Sequence, residues 1–341
     1  MTMQPQWLSM FEQTFALCGV QRGDECAVLC ESSTRVELPA LSMLALSRLG
    51  AHPFRIELPT PPVSTPVPVR STGASMAIGG NAAVIEALAR CRFIADCTVE
   101  GLQHAAELPR ILSGGARVLV ISHEHPEILE RCVPQAEDEA PVREAMRRLR
   151  AARELRVTSA AGSDLRVALA GARVGGVWGF SSKPGTLSHW PGGLVVAFPA
   201  AGSVDGTLVL DRGDVNLSFK RYVQDPIRLQ IENDHVVEIE GDHLDALLMR
   251  EHLTAWNDAS AYAVSHLGWG LNHRARRDAM LFYDKCDFNG TELRAVAGSF
   301  LYSTGANEVA GRHTAGHFDL PMFGCTVELD GERVVDAGRL L

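Results

Sequence analysis

Apolar and polar positions change rhythm about half-way along the chain. In the first half, stretches with helical spacing alternate with short apolar runs. Trp7, Met10, Phe11 and Phe15 recur as one face of a helix over Trp7 to Leu17. Glu25 to Leu29 is a short apolar run and reads as a buried strand. Leu38 to Leu49 is an apolar helix ended by Gly50, and Pro53 to Leu58 is a further strand. Pro59, Pro61, Pro62, Pro66 and Pro68 make the next stretch a loop. Asn81 caps a helix running through Arg90. Phe93-Ile94-Ala95 and Val118-Leu119-Val120-Ile121 are two more buried strands. Alternation of this kind predicts a parallel sheet flanked by helices.

Glu137 to Arg156 reads as a charged helix. Val142, Met146 and Leu149 share one face, and Arg147, Arg148, Arg150 and Arg153 point elsewhere. It links an N-terminal domain (1–155) to a C-terminal one (156–341). In the second domain the pattern shifts to short strands: Leu155 to Thr158, Leu165 to Leu169, Leu194 to Phe198 and Thr207 to Leu210. Ile227 to Ile231 and His235 to Ile239 flank Asn233-Asp234, and Cys325 to Leu329 and Arg333 to Val335 flank Asp330-Gly331, both hairpin signals. Between them lie a helix from Asp242 (its cap) to Trp256, and extended runs at Ala261 to Trp269, Ser299 to Tyr302 and His317 to Leu320. The expected class is α/β: an N-terminal open α/β sheet domain, then a strand-rich α+β domain that holds the chemistry.

Composition changes this picture little. The 341 residues are 46% apolar and 21% charged, ordinary for a globular chain. A net charge of -9 argues against a nucleic-acid surface, which needs a basic patch. No apolar run approaches the roughly 18 residues of a membrane span. The opening Met1 to Trp7 has neither a basic nor an apolar leader region. None of the 8 cysteines forms a Cys-x-x-Cys pair, and Cys26 and Cys30 sit in an apolar run. A cytoplasmic protein with reduced thiols is expected.

The candidate chemistry starts at Thr314-Ala315-Gly316-His317-Phe318-Asp319-Leu320-Pro321. In an extended chain, residues at i and i+2 face the same way, so His317 and Asp319 converge. His266, in Ser265-His266-Leu267-Gly268-Trp269-Gly270, supplies a third donor. Two histidines and one carboxylate on one face of a metal leave the other face open, as in non-heme Fe(II) oxygenases; the ligand types suit manganese as well. His273, His313, His243 and His252 compete for the same role. There is no His-Glu-x-x-His, no Gly-x-Ser-x-Gly, and neither Gly79-Gly80 nor Gly175-Gly176 matches a nucleotide-binding loop. His189, beside Trp190 in a Pro/Gly-rich loop (183–193), is placed to bond or stack on a flat substrate. His104 follows Val99 to Gln103 at the expected end of a parallel strand, where open α/β sheets bind ligands. Arg294 is available to balance an anionic substrate.

Together, Ala161-Gly162-Ser163-Asp164, His189-Trp190-Pro191, Gly206 to Asp211, Ser265 to Leu271, Ser303-Thr304-Gly305 and His317 to Pro321 resemble the 2,5-dihydroxypyridine 5,6-dioxygenases, over most of the chain. These share a fold with aminopeptidase T-like metallopeptidases. The resemblance implies Fe(II) held by His266, His317 and Asp319. It implies His104 as a mobile catalytic base, and His189 and Arg294 as pocket residues. It further implies a small aromatic N-heterocyclic substrate and O2, an N-formylmaleamate-type product, and a homo-oligomer. Gly175-Gly176-Val177-Trp178-Gly179 stands where those enzymes carry an acidic pocket residue, and Ala255-Trp256 where they carry a tyrosine. The metal corner is kept and part of the substrate wall is changed. The alternative is a hydrolase of the aminopeptidase T-like fold. That would need two metals, for which Glu251, Asp258 and Glu308 are the extra carboxylates.

Overall fold

The structure is a computed structural model that describes residues 3–62 and 74–341. The later part of the proline-rich loop (63–73) lies outside the described residues.

The first half forms the alternating layers expected. Its elements are α1 (Pro5–Leu17), β1 (Glu25–Glu31), α2 (Glu37–Arg48), β2 (His52–Leu58), α3 (Ala82–Arg90), β3 (Phe93–Asp96), α4 (Leu108–Ser113), β4 (Arg117–Val120), α5 (Pro126–Arg131) and α6 (Glu139–Ala151). Asn81 starts α3, its side chain accepting from the N–H groups of Ala83 and Val84. All pairings in the first sheet are parallel. Its inner strands β1, β3 and β4 are buried on both sides, whereas the edge strand β2 has no fully buried residue. Cys26, Val28 and Cys30 enter the core shared with α1 and α2, while Ala27 and Leu29 enter the core beneath α3 and α4. That is why these strands read as continuous apolar runs.

The second half continues with β5 (Glu154–Ser159), β6 (Asp164–Ala168), β7 (Arg173–Val177), β8 (Leu187–His189), β9 (Leu194–Phe198) and β10 (Val204–Leu210). After these come the short pair β11 (Val215–Asn216) and β12 (Arg221–Tyr222), the hairpin β13 (Ile227–Glu232) and β14 (His235–Glu240), and α7 (Leu244–Ala255). The chain closes with β15 (Val264–Gly270), α8 (Thr291–Ala295), β16 (Phe300–Asn307), β17 (Arg312–Met322), β18 (Cys325–Leu329), β19 (Glu332–Asp336) and β20 (Arg339–Leu340). Two antiparallel sheets result, ordered β14-β13-β10-β6-β5-β18-β19-β20 and β17-β16-β15-β9-β7. They pack face to face around the largest apolar core. Both hairpins turn as expected, with positive φ at Asn233, Asp234, Asp330 and Gly331.

Several boundaries differ from the sequence reading. Residues 183–193 are not wholly loop: Leu187–His189 pairs in parallel with β4, so the first sheet is ordered β2-β1-β3-β4-β8. The division expected at 155/156 is therefore crossed by one strand. Gly175-Gly176, for which the sequence suggested no strand, belongs to β7. The charged helix stops at Ala151, because Ala152 turns extended, and Arg156 lies in β5. Asp242 does not cap α7: His243 holds the cap position and makes no side-chain cap bond. β3 ends at Asp96, so Val99 to Gln103 is a loop beyond the strand. β15 begins at Val264, preceded by a 3-10 turn at Ala259–Tyr262.

Candidate active site

One face of the third sheet carries the site. His266 lies opposite Ser303, and Ser303 opposite Asp319. Residues paired across strands share a face, and His317, two before Asp319, shares it too. Leu267, Trp269, Tyr302, Phe318 and Leu320 alternate with them and enter the core against the second sheet. A slip of one residue would send the polar set into that core, so burial itself fixes the register.

The donor atoms converge. Asp319 Oδ1 stands 3.2 Å from His317 Nε2 and 3.9 Å from His266 Nε2. One ligand atom from each of the three buried residues lies within 4.8 Å of the others. Ser265 donates its hydroxyl to Ala306 O (2.6 Å), so its oxygen accepts from His266 Nδ1 (3.0 Å). That fixes the tautomer and leaves the His266 Nε2 lone pair facing the cluster. Asp319 is held on both oxygens: Ser303 Oγ donates to Oδ1, and Arg294 Nε to Oδ2 at 2.5 Å. Burial raises the Asp319 carboxyl, but Arg294 and then His317 and His266 outweigh it and keep the group well below the usual carboxylate range. Burial pushes His266 down to about 3. The set is thus one carboxylate and two imidazoles, with hydrogen bonds behind them. It fits a divalent transition-metal ion with an open face.

The first sheet reaches this corner from the carboxyl ends of β3 and β8. The His104 ring centroid is 5.0 Å from that of His317 and 6.2 Å from that of His266. Burial, then the neighbouring His317 and His266, hold His104 well below its ordinary value. Its loop is fixed by Asp96, whose carboxylate accepts from the N–H groups of Thr98 and Leu102 and from the Thr98 hydroxyl. His189 closes β8 and donates from Nε2 to Gln103 Oε1 (2.8 Å), tying the two loops together; burial pushes it to about 4. A cavity of about 500 Å³ joins these groups. His104, His189, Arg294, His266, His317 and Asp319 all line it.

Arg294 lines the cavity with its Nε on Asp319 and its Nη1 on Asn289 Oδ1 (3.0 Å). The competing histidines stay apart. His273 and His313 are exposed, His243 donates to Pro226 O, and His252 packs against Phe318. Val177 lines the cavity, whereas Trp256 packs beside Gly316. Glu251 is exposed, Asp258 caps the turn before β15, and Glu308 pairs with Arg173 at the cavity rim. Among the described residues, His266, His317 and Asp319 are the one group of three able to hold a metal. Ser265, Ser303, Asn289 and Gln103 had no role of their own in the sequence reading, although Ser265 and Ser303 lie in stretches that carry the resemblance and Gln103 adjoins His104.

The model of the family 2,5-dihydroxypyridine 5,6-dioxygenase (NicX) matches residues 6–341. The chain belongs to that family. A 2,5-dihydroxypyridine 5,6-dioxygenase of Pseudomonas putida KT2440 is 36% identical over 340 residues, 98% of this chain and 96% of the relative. The solved 2,5-dihydroxypyridine dioxygenase of Pseudomonas putida KT2440 superposes with a TM-score of 0.94 at 34% identity, covering 100% of this chain and 98% of that one. AmpT from Thermus thermophilus matches with a TM-score of 0.68 at 16% identity over 98% of each chain, a likeness of fold. The protein is a dioxygenase, and a metal cofactor goes with that activity. No helix among its described residues is long and apolar enough to cross a membrane.

Proposed function

We propose that this dioxygenase opens the ring of 2,5-dihydroxypyridine, or of a closely related hydroxylated N-heterocycle, between C5 and C6. The product is of the N-formylmaleamate type, and both atoms of O2 enter it. The observation that carries this is the inward-facing set His266, His317 and Asp319 on the cavity floor, with the His104 ring 5.0 Å from His317. Iron(II), when bound by those three, supplies Lewis acidity toward a ring hydroxyl and redox access to O2.

The chain's own residues do the rest. His104 takes the hydroxyl proton on an imidazole nitrogen. His189 and the Gln103 amide fix the wall beside it. Ser303 and Arg294 keep the Asp319 carboxylate aimed and ionised. Phe198, 5.2 Å from the His266 ring, and Val196 keep water from the far side of the ring. All eight cysteines are free and seven are buried, which supports the cytoplasm as the working compartment.

The test is O2 uptake by protein loaded anaerobically with Fe(II) and offered 2,5-dihydroxypyridine and related hydroxylated N-heterocycles. Stoichiometric uptake with loss of the ring absorbance is expected. Absence of uptake with every ring would sink the reading.

A further inference from the structure

The cavity floor continues well past the metal corner. On the same sheet face as His266, the registers place Phe198, Val196 and Leu194 of β9, then Arg173, Gly175 and Val177 of β7. Two strand steps separate β15 from β7, about 10 Å. Apart from Arg173 at its exposed end, this shelf carries no polar side chain. Leu112 of α4 and Leu187 of β8 line the same cavity from the side of the first sheet. A void of roughly 150 Å³ accommodates one benzene-sized ring, so about 500 Å³ leaves most of the space unfilled by a single pyridine.

Gly175 is the position that leaves the shelf open. Its neighbour Gly176 has a packing reason to be glycine: a Cβ there would meet Met146 Sδ at 2.6 Å and Val142 Cγ1 at 2.7 Å. Gly175 has none. It lies within a regular strand, and a Cβ would stand 3.8 Å from Phe198 and Val196, ordinary contact. The backbone and the packing accept a side chain at Gly175, and that side chain would occupy the shelf.

We propose that the shelf over Gly175, Val177, Leu194 and Val196 is a subsite for an apolar ring substituent, and that the preferred substrate is a dihydroxypyridine bearing an alkyl group of several carbons. This rests on the dioxygenase reading above. The alkyl group leaves water for the apolar shelf while the hydroxylated edge stays at the metal corner.

The test uses anaerobic titration of the Fe(II)-loaded enzyme with 2,5-dihydroxypyridine and with its 3-propyl and 4-propyl derivatives. Three buried methyl or methylene groups predict about tenfold or tighter binding for at least one propyl ring. In Gly175→Val the ratio of the two dissociation constants falls to near one, and Gly175→Ala gives an intermediate ratio. A merely structural effect would weaken both rings together and leave the ratio alone. Equal or weaker binding of both propyl rings, or an unchanged ratio in the two variants, overturns the subsite. O2 uptake on the parent ring separates the readings: consumption of the parent with no alkyl preference removes the subsite alone, whereas no uptake with any ring removes the proposed function.

Discussion

Asp319 does three things at once, and each involves a different partner. Its Oδ1 faces the two histidines and takes the Ser303 hydroxyl, its Oδ2 takes Arg294, and its backbone carbonyl accepts from Leu217 N–H. Replacing His266, His317 or Asp319 by Ala should abolish iron binding, read by metal analysis after anaerobic loading. Full iron occupancy in any one would remove that residue from the set. Ser303→Ala leaves the donors in place but frees one side of the carboxylate, and iron affinity should fall by about 10- to 100-fold. His104→Ala should keep the iron and slow turnover by about 10² or more; an unchanged kcat would dismiss it as the base. At this scale the sequence was partly legible. His317 and Asp319 announce themselves by i, i+2 spacing, because strand geometry makes near neighbours in sequence near neighbours on one face. Ser303 and Arg294 carry no such signal, since their closeness to Asp319 comes from strand pairing and from the placement of a five-residue helix.

Elements position those side chains, and β17 does most for the site. It runs for eleven residues, and Gly316 lets it pass close to the turn before β15. A Cβ on Gly316 would meet Ala261 Cβ at 2.7 Å and the Trp256 ring at 3.2 Å. Gly316→Ala should therefore cost about 1–3 kcal/mol by overpacking, read as a lower denaturation midpoint with an unchanged slope; a midpoint equal to wild type would show that the turn yields freely. In the first half α1, α2, α3, α6 and the strands β1 to β4 were legible from their apolar patterns, whereas the six-residue helices α4 and α5 were not read. The misread elements are short or glycine-rich. β8 has three residues and exists through its pairing with β4, and β7 carries no strand signal because Gly176 answers to α6 rather than to strand propensity.

Across the whole molecule, the site lies where the carboxyl ends of a parallel sheet meet the polar face of an antiparallel one. The same packing buries carboxylates that take no part in it. Asp214 accepts from the N–H groups of Phe323 and Asp211, yet burial pushes its pKa up to about 6. The folded state then holds this proton more tightly than the unfolded chain, whose Asp titrates near 3.9. Its contribution to stability is full below about pH 4 and is lost as pH rises through about 6. The gap in unfolding free energy between wild type and Asp214→Ala should be wider at pH 4 than at pH 7, measured by urea denaturation at both. Gaps of equal size would mean that Asp214 titrates alike in both states.

By itself, the sequence determined the layered first half, both hairpins, the His317–Asp319 pair with His266 as its partner, and the resemblance that the family comparison bore out. These rest on local periodicity or on motifs, which survive in one dimension. The resemblance already implied His104 and Arg294 at the pocket; the tertiary structure alone decided what they touch, the His104 ring beside His317 and Arg294 with Ser303 on the Asp319 carboxylate, and the apolar shelf beside Gly175. Those relations join residues tens to hundreds of positions apart, and only strand register and sheet packing convert such separations into contacts.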